Sequence, residues 1–449
     1  MNSNEIFEKA PVPKAVFTLA VPTVLSMLVT IIYNMADTFF VGQTHDSNQV
    51  AAVSLTMPLF TIFIAFGNLF GVGGSSYISR ALGQNEKEKV KHISSFCFYA
   101  CAATGIIMGI IFLIFMSPIL KIIGSSPATE GFAKEYMTYI SAGAILVVLA
   151  NSMSNLIRSE GAAKASMIGM MIGTVVNIVL DPIMILAMNM GVAGAAIATL
   201  IGNLSSIIFY VFYILKKSSV LSISPKYFSI SGIMGNVLMI GIPASFNNLL
   251  MSVSNIILNN LLAKYGDNPV AAMGVAMKAN MLVVFLQMGI AMGIQPLLGY
   301  NFGSKNYKRL KSVMKFAALC NVIIGAALTA LYFFNTDTII KVFIDDAEVI
   351  EYGVKMLRAL MISGPLLGIM FVFSFAFQAM GKAVPSLILS ISRQGLIYIP
   401  LVIILNITVG LEGIIVAQPI ADIACLIMSV AAFIIINKGL VKEEKAYEL

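Results

Sequence analysis

Three positions in the first half of this chain put oxygen where oxygen is expensive. Asp37 lies in an apolar run at about 15–41, Asp181 in one at 164–188 and Thr199 in one at 192–215. Asn177 precedes Asp181 by one helical turn, which places both on one helix face, and Ala195 precedes Thr199 by the same interval. Ionisable groups at membrane depth are costly and usually functional. Reading spans 1 and 5 outward and span 6 inward, a rise of 1.5 Å per residue sets Asp37, Asp181 and Thr199 roughly 7–12 Å below the outer surface. Two carboxylates, an amide oxygen, a hydroxyl and a backbone carbonyl form an all-oxygen set suited to a hard cation such as Na+. The same two carboxylates could instead share a proton. A polar network that only holds helices together is a third reading, although amides would serve it as well as acids.

Asp181 is followed by Pro182, which biases Asp181 away from regular helix and frees the carbonyl of Ile178. Broken helix beside a cavity is where many transporters hold ions. The second half has no such acidic pair, since the repeat positions fall near Leu258 and at Pro400–Leu401. Its intramembrane charges are Arg393 (span 384–406) and Asp422 (span 412–437), both near mid-depth. An ion pair is the simplest way to keep them there, so a structural role is expected, with substrate or coupling work as the rival. Lys278 and Arg358 either snorkel or line an outer cavity.

The elements that must position these residues follow from composition and repetition. Hydrophobic residues are 59% of the 449 and charged residues 11%, against roughly 25% charged in an average soluble domain. No soluble core hides that much apolar surface, so lipid is the main solvent. The net charge of +7 is no nucleic-acid footprint, because Lys and Arg gather in short connections, the positive-inside pattern. They crowd the termini and even-numbered connections (Lys87, Lys89, Lys91; Lys216, Lys217, Lys226; Lys305, Lys308, Arg309, Lys311), so both termini are expected in the cytoplasm. Cys97, Cys101, Cys320 and Cys425 sit in apolar runs and read as packing residues. With His45 and His92 both in connections, no nucleophile–base pair or His-x-x-x-His metal set exists, which argues against an intramembrane enzyme.

The chain repeats itself. Val50-Ala51-Ala52-Val53-Ser54 returns as Val270-Ala271-Ala272-Met273-Gly274, Ala81-Leu82-Gly83-Gln84-Asn85 as Asn301-Phe302-Gly303-Ser304-Lys305, and Gly161-Ala162-Ala163-Lys164 as Gly381-Lys382-Ala383-Val384, all 220 residues apart. Apolar runs of about 20 residues each cross a bilayer once, and twelve are expected. An all-α membrane protein follows: a six-helix lobe at 1–215, a cytoplasmic linker at 216–235 and a second six-helix lobe at 236–449. Six is even, so the lobes would be related by a pseudo-two-fold axis along the membrane normal. Pro22 in span 1 has its mate in Pro243 of span 7, and packing and a hinge both remain open for it.

Tyr33-Asn34-Met35-Ala36-Asp37-Thr38, Asn177…Asp181-Pro182 with Gly191…Gly194, and Gly293-Ile294-Gln295-Pro296-Leu297-Leu298-Gly299-Tyr300-Asn301 together resemble the multidrug and toxic compound extrusion (MATE) family over the whole chain. The resemblance implies a bacterial inner-membrane antiporter exporting drug-like organic cations in exchange for Na+ or H+, working as a monomer and needing no other cofactor. It assigns the cation site to Asp37, Asn177, Asp181, the Ala195 carbonyl and Thr199, a bending proline to Pro22, and cavity positions to Tyr33, Tyr136, Asn151 and Asn155. Some branches carry coupling acids in spans 7 and 10. Here there are none, which concentrates the expectation on the first half. A lipid-linked precursor flippase or an exporter of an endogenous metabolite is the alternative of like architecture; a flippase would want more spans and a strongly cationic cavity.

Overall fold

A computed structural model describes residues 5–447. Among these, regular structure is entirely helical. Ten helices are long and apolar enough to cross a bilayer, and two bent pairs bring the spans to twelve. Spans 1–3 are Val12–Gly42, Ser47–Gly83 and Lys87–Ile114; span 4 joins Glu130–Ala142 to Ala144–Ser159; spans 5 and 6 are Ala163–Ala187 and Gly191–Lys216. Spans 7–9 are Met234–Tyr265, Asp267–Gly303 and Tyr307–Phe343; span 10 joins Ala347–Ile362 to Gly364–Ala379; spans 11 and 12 are Ala383–Thr408 and Leu411–Lys442.

The repeat governs irregular features as well as regular ones. Spans 2, 3, 5 and 6 start 220 residues before spans 8, 9, 11 and 12 (267 − 47, 307 − 87, 383 − 163, 411 − 191). Span 4 bends by 57° at Gly143 and span 10 by 49° at Ser363, where the apolar pattern suggests unbroken helices. Pro365 enters the second helix of span 10 at its start and cannot donate to the turn before it. At Gly143 the missing side chain admits Leu200, whose Cδ atoms lie within 2.5 Å of where a Cβ would stand. Spans 5 and 11 each contain a π-helical stretch, Pro182–Ala187 and Ser392–Tyr398. The turns leaving spans 4 and 10 need left-handed backbone, supplied by Gly161 (φ 88°) and Gly381 (φ 69°).

Packing divides the chain into two compact units, Leu25–Ser245, and Met1–Val24 with Phe246–Leu449. The first parts of spans 1 and 7 therefore pack outside their own chain-order halves. Glycine is the cause. A Cβ on Gly241 would lie 1.9 Å from the Leu69 carbonyl oxygen, and one on Gly73 2.2 Å from that of Val237, so span 7 begins in backbone contact with span 2. In the other unit, a Cβ on Gly293 would lie 2.7 Å from Ala20 Cα and one on Gly289 2.8 Å from Val24 Cα, which seats the start of span 1 on span 8. Close approach of this kind is how helices associate where lipid supplies no hydrophobic drive.

Each of these span starts is preceded by a docked strap. Residues 218–228 are held on span 3: Ser94 Oγ donates to the Ser222 carbonyl (3.0 Å) and Ser95 Oγ to that of Ser224 (2.9 Å). Tyr99 Oη donates to the Ile223 carbonyl (3.0 Å), and His92 Nδ1 lies 2.7 Å from the Tyr227 carbonyl oxygen. Leu221 is buried in the core of that unit. Residues 5–10 are held on span 9, where Arg309 Nε donates to the Phe7 carbonyl (2.7 Å) and Nη2 to those of Ala10 (2.7 Å) and Ile6 (3.1 Å). Phe7 stacks on Tyr300 (4.8 Å), whose hydroxyl bonds Glu8.

The strap at 218–228 is also tied to Glu160, in the turn between spans 4 and 5. Glu160 is buried; its Oε2 accepts from Ser218 Oγ (2.6 Å), and its Oε1 has no partner. Burial, the dominant influence, raises the Glu160 pKa, against hydrogen bonds from Ser218 and Tyr213 that lower it. A carboxyl with a raised folded-state pKa stabilises the fold fully below its ordinary value of about 4.5 and loses that contribution as pH rises through the folded pKa. Glu160→Gln is therefore expected to raise the thermal midpoint of the detergent-solubilised protein at about pH 8 and to match wild type near pH 4; an equal shift at both pH values would remove titration as the cause.

Candidate functional site in the first repeat

Spans 5 and 6 touch through backbone. A Cβ on Gly173 would sit 2.7 Å from the Gly202 carbonyl oxygen, and one on Gly202 2.6 Å from that of Gly173 and 3.1 Å from Asn177 Cβ. Ser206 Oγ donates to the Gly169 carbonyl (2.8 Å) and Tyr210 Oη to that of Ser166 (2.9 Å), which locks the crossing. Nearer the other end, Gly194 lies against Met184–Ile185 of the π-helical stretch, its would-be Cβ 2.8 Å from Met184 C. The consequence is that Asn177 (1% exposed), Asp181 (0%), Ala195 (0%) and Thr199 (2%) are enclosed by the two spans.

Span 1 closes the cluster. Tyr33 Oη and Thr199 Oγ1 share a hydrogen bond of 3.1 Å, and Asp37, one turn beyond Tyr33, is 8% exposed. Tyr136, buried on the first helix of span 4, lies within electrostatic range of Tyr33, Asp37 and Asp181. Asn177 Nδ2 donates to Asp181 Oδ1 (3.1 Å). That leaves three buried oxygens with no hydrogen-bond partner among the described residues: Asp37 Oδ1, Asn177 Oδ1 and Asp181 Oδ2. Buried acceptors are nearly always satisfied, so this set is an oxygen cradle that a hard cation or a proton would complete.

Asp181 itself departs from expectation. Its backbone is helical (φ −51°, ψ −58°), and the irregularity follows it. Met188 N–H reaches the Ile183 carbonyl (2.9 Å) across a wider i→i+5 turn, which takes up the disturbance that Pro182 causes. Pro22 lies inside the continuous helix of span 1, two residues before the boundary between packing units. Asn151 and Asn155 do not bond to the acidic cluster. Asn151 Nδ2 donates to Asn68 Oδ1 (2.9 Å) and the Ile64 carbonyl (3.0 Å), Asn155 Nδ2 donates to the Asn151 carbonyl (2.9 Å), and both lie beside span 2 at Gly67 and Gly71. The Gly173–Gly202 contact was missed from sequence, although Gly169-x-x-x-Gly173 is the small-residue spacing that marks such crossings.

In the second repeat the same crossing is filled differently. Adding 220 to Gly173 and Gly202 gives Arg393 and Asp422. Arg393 Nε donates to Asp422 Oδ1 (3.0 Å), with side chains 15% and 4% exposed. Asp422 also accepts from Gln418 Nε2 (3.0 Å) and Ser363 Oγ (3.1 Å), and the guanidinium lies 5.2 Å from the Phe371 ring centroid. Lys278 and Arg358 are exposed, with Arg358 over the Phe333 ring (5.2 Å).

Twelve spans in two repeats, with a buried cradle of unpartnered oxygens in one of them, are the build of a secondary transporter. The chain belongs to the MatE family, whose model matches residues 22–183 and 243–404. It is 33% identical over 431 residues to the multidrug export protein MepA of Staphylococcus saprophyticus subsp. saprophyticus, covering 96% of this chain and 94% of that one. Identity to MepA of Staphylococcus aureus (strain MRSA252) is 34%, with the same coverage. A crystal structure of MATE in complex with MaL6 matches at TM-score 0.92 (27% identity, 98% of this chain and 100% of that one). MATE in the bent conformation matches at 0.91 (26%, 100% and 100%). The protein is a multi-pass membrane transporter and not an enzyme.

Two outcomes are expected from these crossings. Gly202→Ala forces a methyl into the Gly173 carbonyl and should cost about 1–3 kcal/mol of stability, whereas Gly274→Ala, with nothing within 4 Å, should be neutral; equal thermal midpoints for the two would contradict the contact. Removing one member of the Arg393–Asp422 pair strands a buried charge at a cost of about 3–5 kcal/mol. Arg393→Leu or Asp422→Leu should thus lower folded yield in membranes, and the double Leu variant should recover part of it. A double variant no better than the worse single would show that the pair is not a stability element.

Proposed function

We propose that this protein is a multidrug efflux antiporter that exports lipophilic, often cationic organic compounds in exchange for Na+ or H+. The observation that carries the coupling site is the set of three unpartnered buried oxygens of Asp37, Asn177 and Asp181; the MepA relatives, named as multidrug export proteins, support the substrate class. The cation is held by Asp37, Asn177, Asp181 and Thr199, with the Ala195 carbonyl as a fifth oxygen, and Tyr33 anchors Thr199. Ion and substrate act by favouring different states, since a ligand shifts a conformational equilibrium only through its differential affinity. The bend between states is assigned to Pro22, next to the boundary between packing units. We place both termini in the cytoplasm of a bacterial cell, with the monomer as the working unit. Na+ is favoured over H+ because Asn177 and Thr199 supply neutral oxygens that a proton does not need.

The test is dye efflux from proteoliposomes with Na+ and proton gradients imposed separately. An inward Na+ gradient is expected to drive efflux, less well as pH falls, because protonated carboxylates are poor ligands. Asp37→Asn and Asp181→Asn should each abolish coupled export while inserting normally. Full-rate efflux in a proton gradient without Na+, unchanged by added Na+, would overturn the Na+ assignment; wild-type efflux by either Asn variant would overturn the site.

A further inference from the structure

A cavity of about 50 Å³ lies within the second repeat beside the Arg393–Asp422 pair. Its lining mixes apolar side chains (Met288, Met370, Phe375) with the neutral polar groups of Asn247, Ser374, Gln378 and Ser390. In the first repeat the Gly173–Gly202 backbone contact stands at the corresponding place; here an arginine and an aspartate stand there as an ion pair. Arg393 sits in the π-helical stretch Ser392–Tyr398, a type of distortion frequent at functional sites.

The charge arrangement is one-sided. Asp422 is answered by three donors, from Arg393, Gln418 and Ser363, and needs nothing more. Of the guanidinium, only Nε has a hydrogen-bond acceptor among the described residues. Its two terminal amino groups carry no hydrogen bond, are not sealed from solvent, and belong to a residue that lines the cavity. Two parallel N–H donors on a planar fork match the two oxygens of a carboxylate. A phosphate dianion would fit poorly, because Asp422 already offsets the single positive charge. Phe371 beneath the guanidinium fixes its plane, and the methionines adapt to varied apolar bodies.

We propose that this cavity is a second ligand site, which takes the carboxylate end of an amphipathic, zwitterionic aromatic compound through Arg393. The cavity is small, so it receives only the carboxylate end while the aromatic body extends outward. Calling such compounds substrates rests on the export reading above. The binding itself does not, and it is measured on the full chain in detergent, without gradients, so failure of one leaves the other standing.

Rhodamine 110 and rhodamine 123 share one ring system and differ in a free carboxylate against its methyl ester. Fluorescence anisotropy near pH 7.5 should show rhodamine 110 binding about tenfold tighter than rhodamine 123. The preference should fall below about twofold in the Arg393→Leu/Asp422→Leu double variant, which strands no charge, and in Ser390→Phe, which fills the cavity and keeps the ion pair. Equal binding of the two dyes to wild type, or a preference that survives both variants, would overturn the proposal. Displacement of rhodamine 110 by dioleoylphosphatidylglycerol would assign the site to an anionic lipid headgroup instead and overturn the carboxylate ligand; no displacement is expected.

Discussion

Lipid offers no hydrogen bonds, and the whole molecule is arranged around that deficit. A polar group within a span has to be answered by another part of the protein or remain costly. In the second repeat the answer for Asp422 is complete, with three donors on its two oxygens. In the first repeat it is incomplete, and three oxygens of Asp37, Asn177 and Asp181 stay bare. A site left short of partners in an environment that supplies none can take something that arrives, which is why we propose it for the coupling ion.

Close crossings make these arrangements possible. Gly173 against Gly202 brings two polar helix faces together, while Gly73 with Gly241 and Gly289 with Gly293 seat the first parts of spans 7 and 1. Lipid tails do not push helices together, so contact has to come from van der Waals packing at short range, which small residues permit. The straps at 5–10 and 218–228 reinforce the seating through side chains reaching backbone carbonyls. Both units thus hold one borrowed span start firmly, and Pro22 and Pro243 fall just before the points where each helix passes from one packing unit to the other.

One crossing, used twice, is filled differently in the two repeats. Glycine at 173 and 202 allows backbone contact and places Asn177 and Thr199 a turn away, with Asp181 two turns from Gly173. At 393 and 422 the same places hold an ion pair, and Arg393 lines a cavity. The duplicated scaffold keeps its bends and turns at matching positions, while its π-helical stretches differ in place and its side chains diverge in polarity.

Much of this was legible in the chain. Composition dictated lipid as solvent, the offset of 220 dictated two repeats of six spans, and the scarcity of charge within apolar runs singled out Asp37, Asp181, Arg393 and Asp422. Depth along a helix is arithmetic, so even the shared level of Asp37, Asp181 and Thr199 could be reckoned from sequence. Rotation and contact between helices are not arithmetic. Only the tertiary structure decided that Tyr136 joins the cluster while Asn151 and Asn155 bond beside span 2. It alone put the irregular turn after Asp181, bent spans 4 and 10, and exchanged the first parts of spans 1 and 7. The physical reason is the same in each case: hydrophobic periodicity reports which residues avoid water, but here both lipid and protein interior satisfy that demand. The choice between them falls to short-range packing, which glycine, proline and hydrogen-bond partners settle only once the helices are side by side.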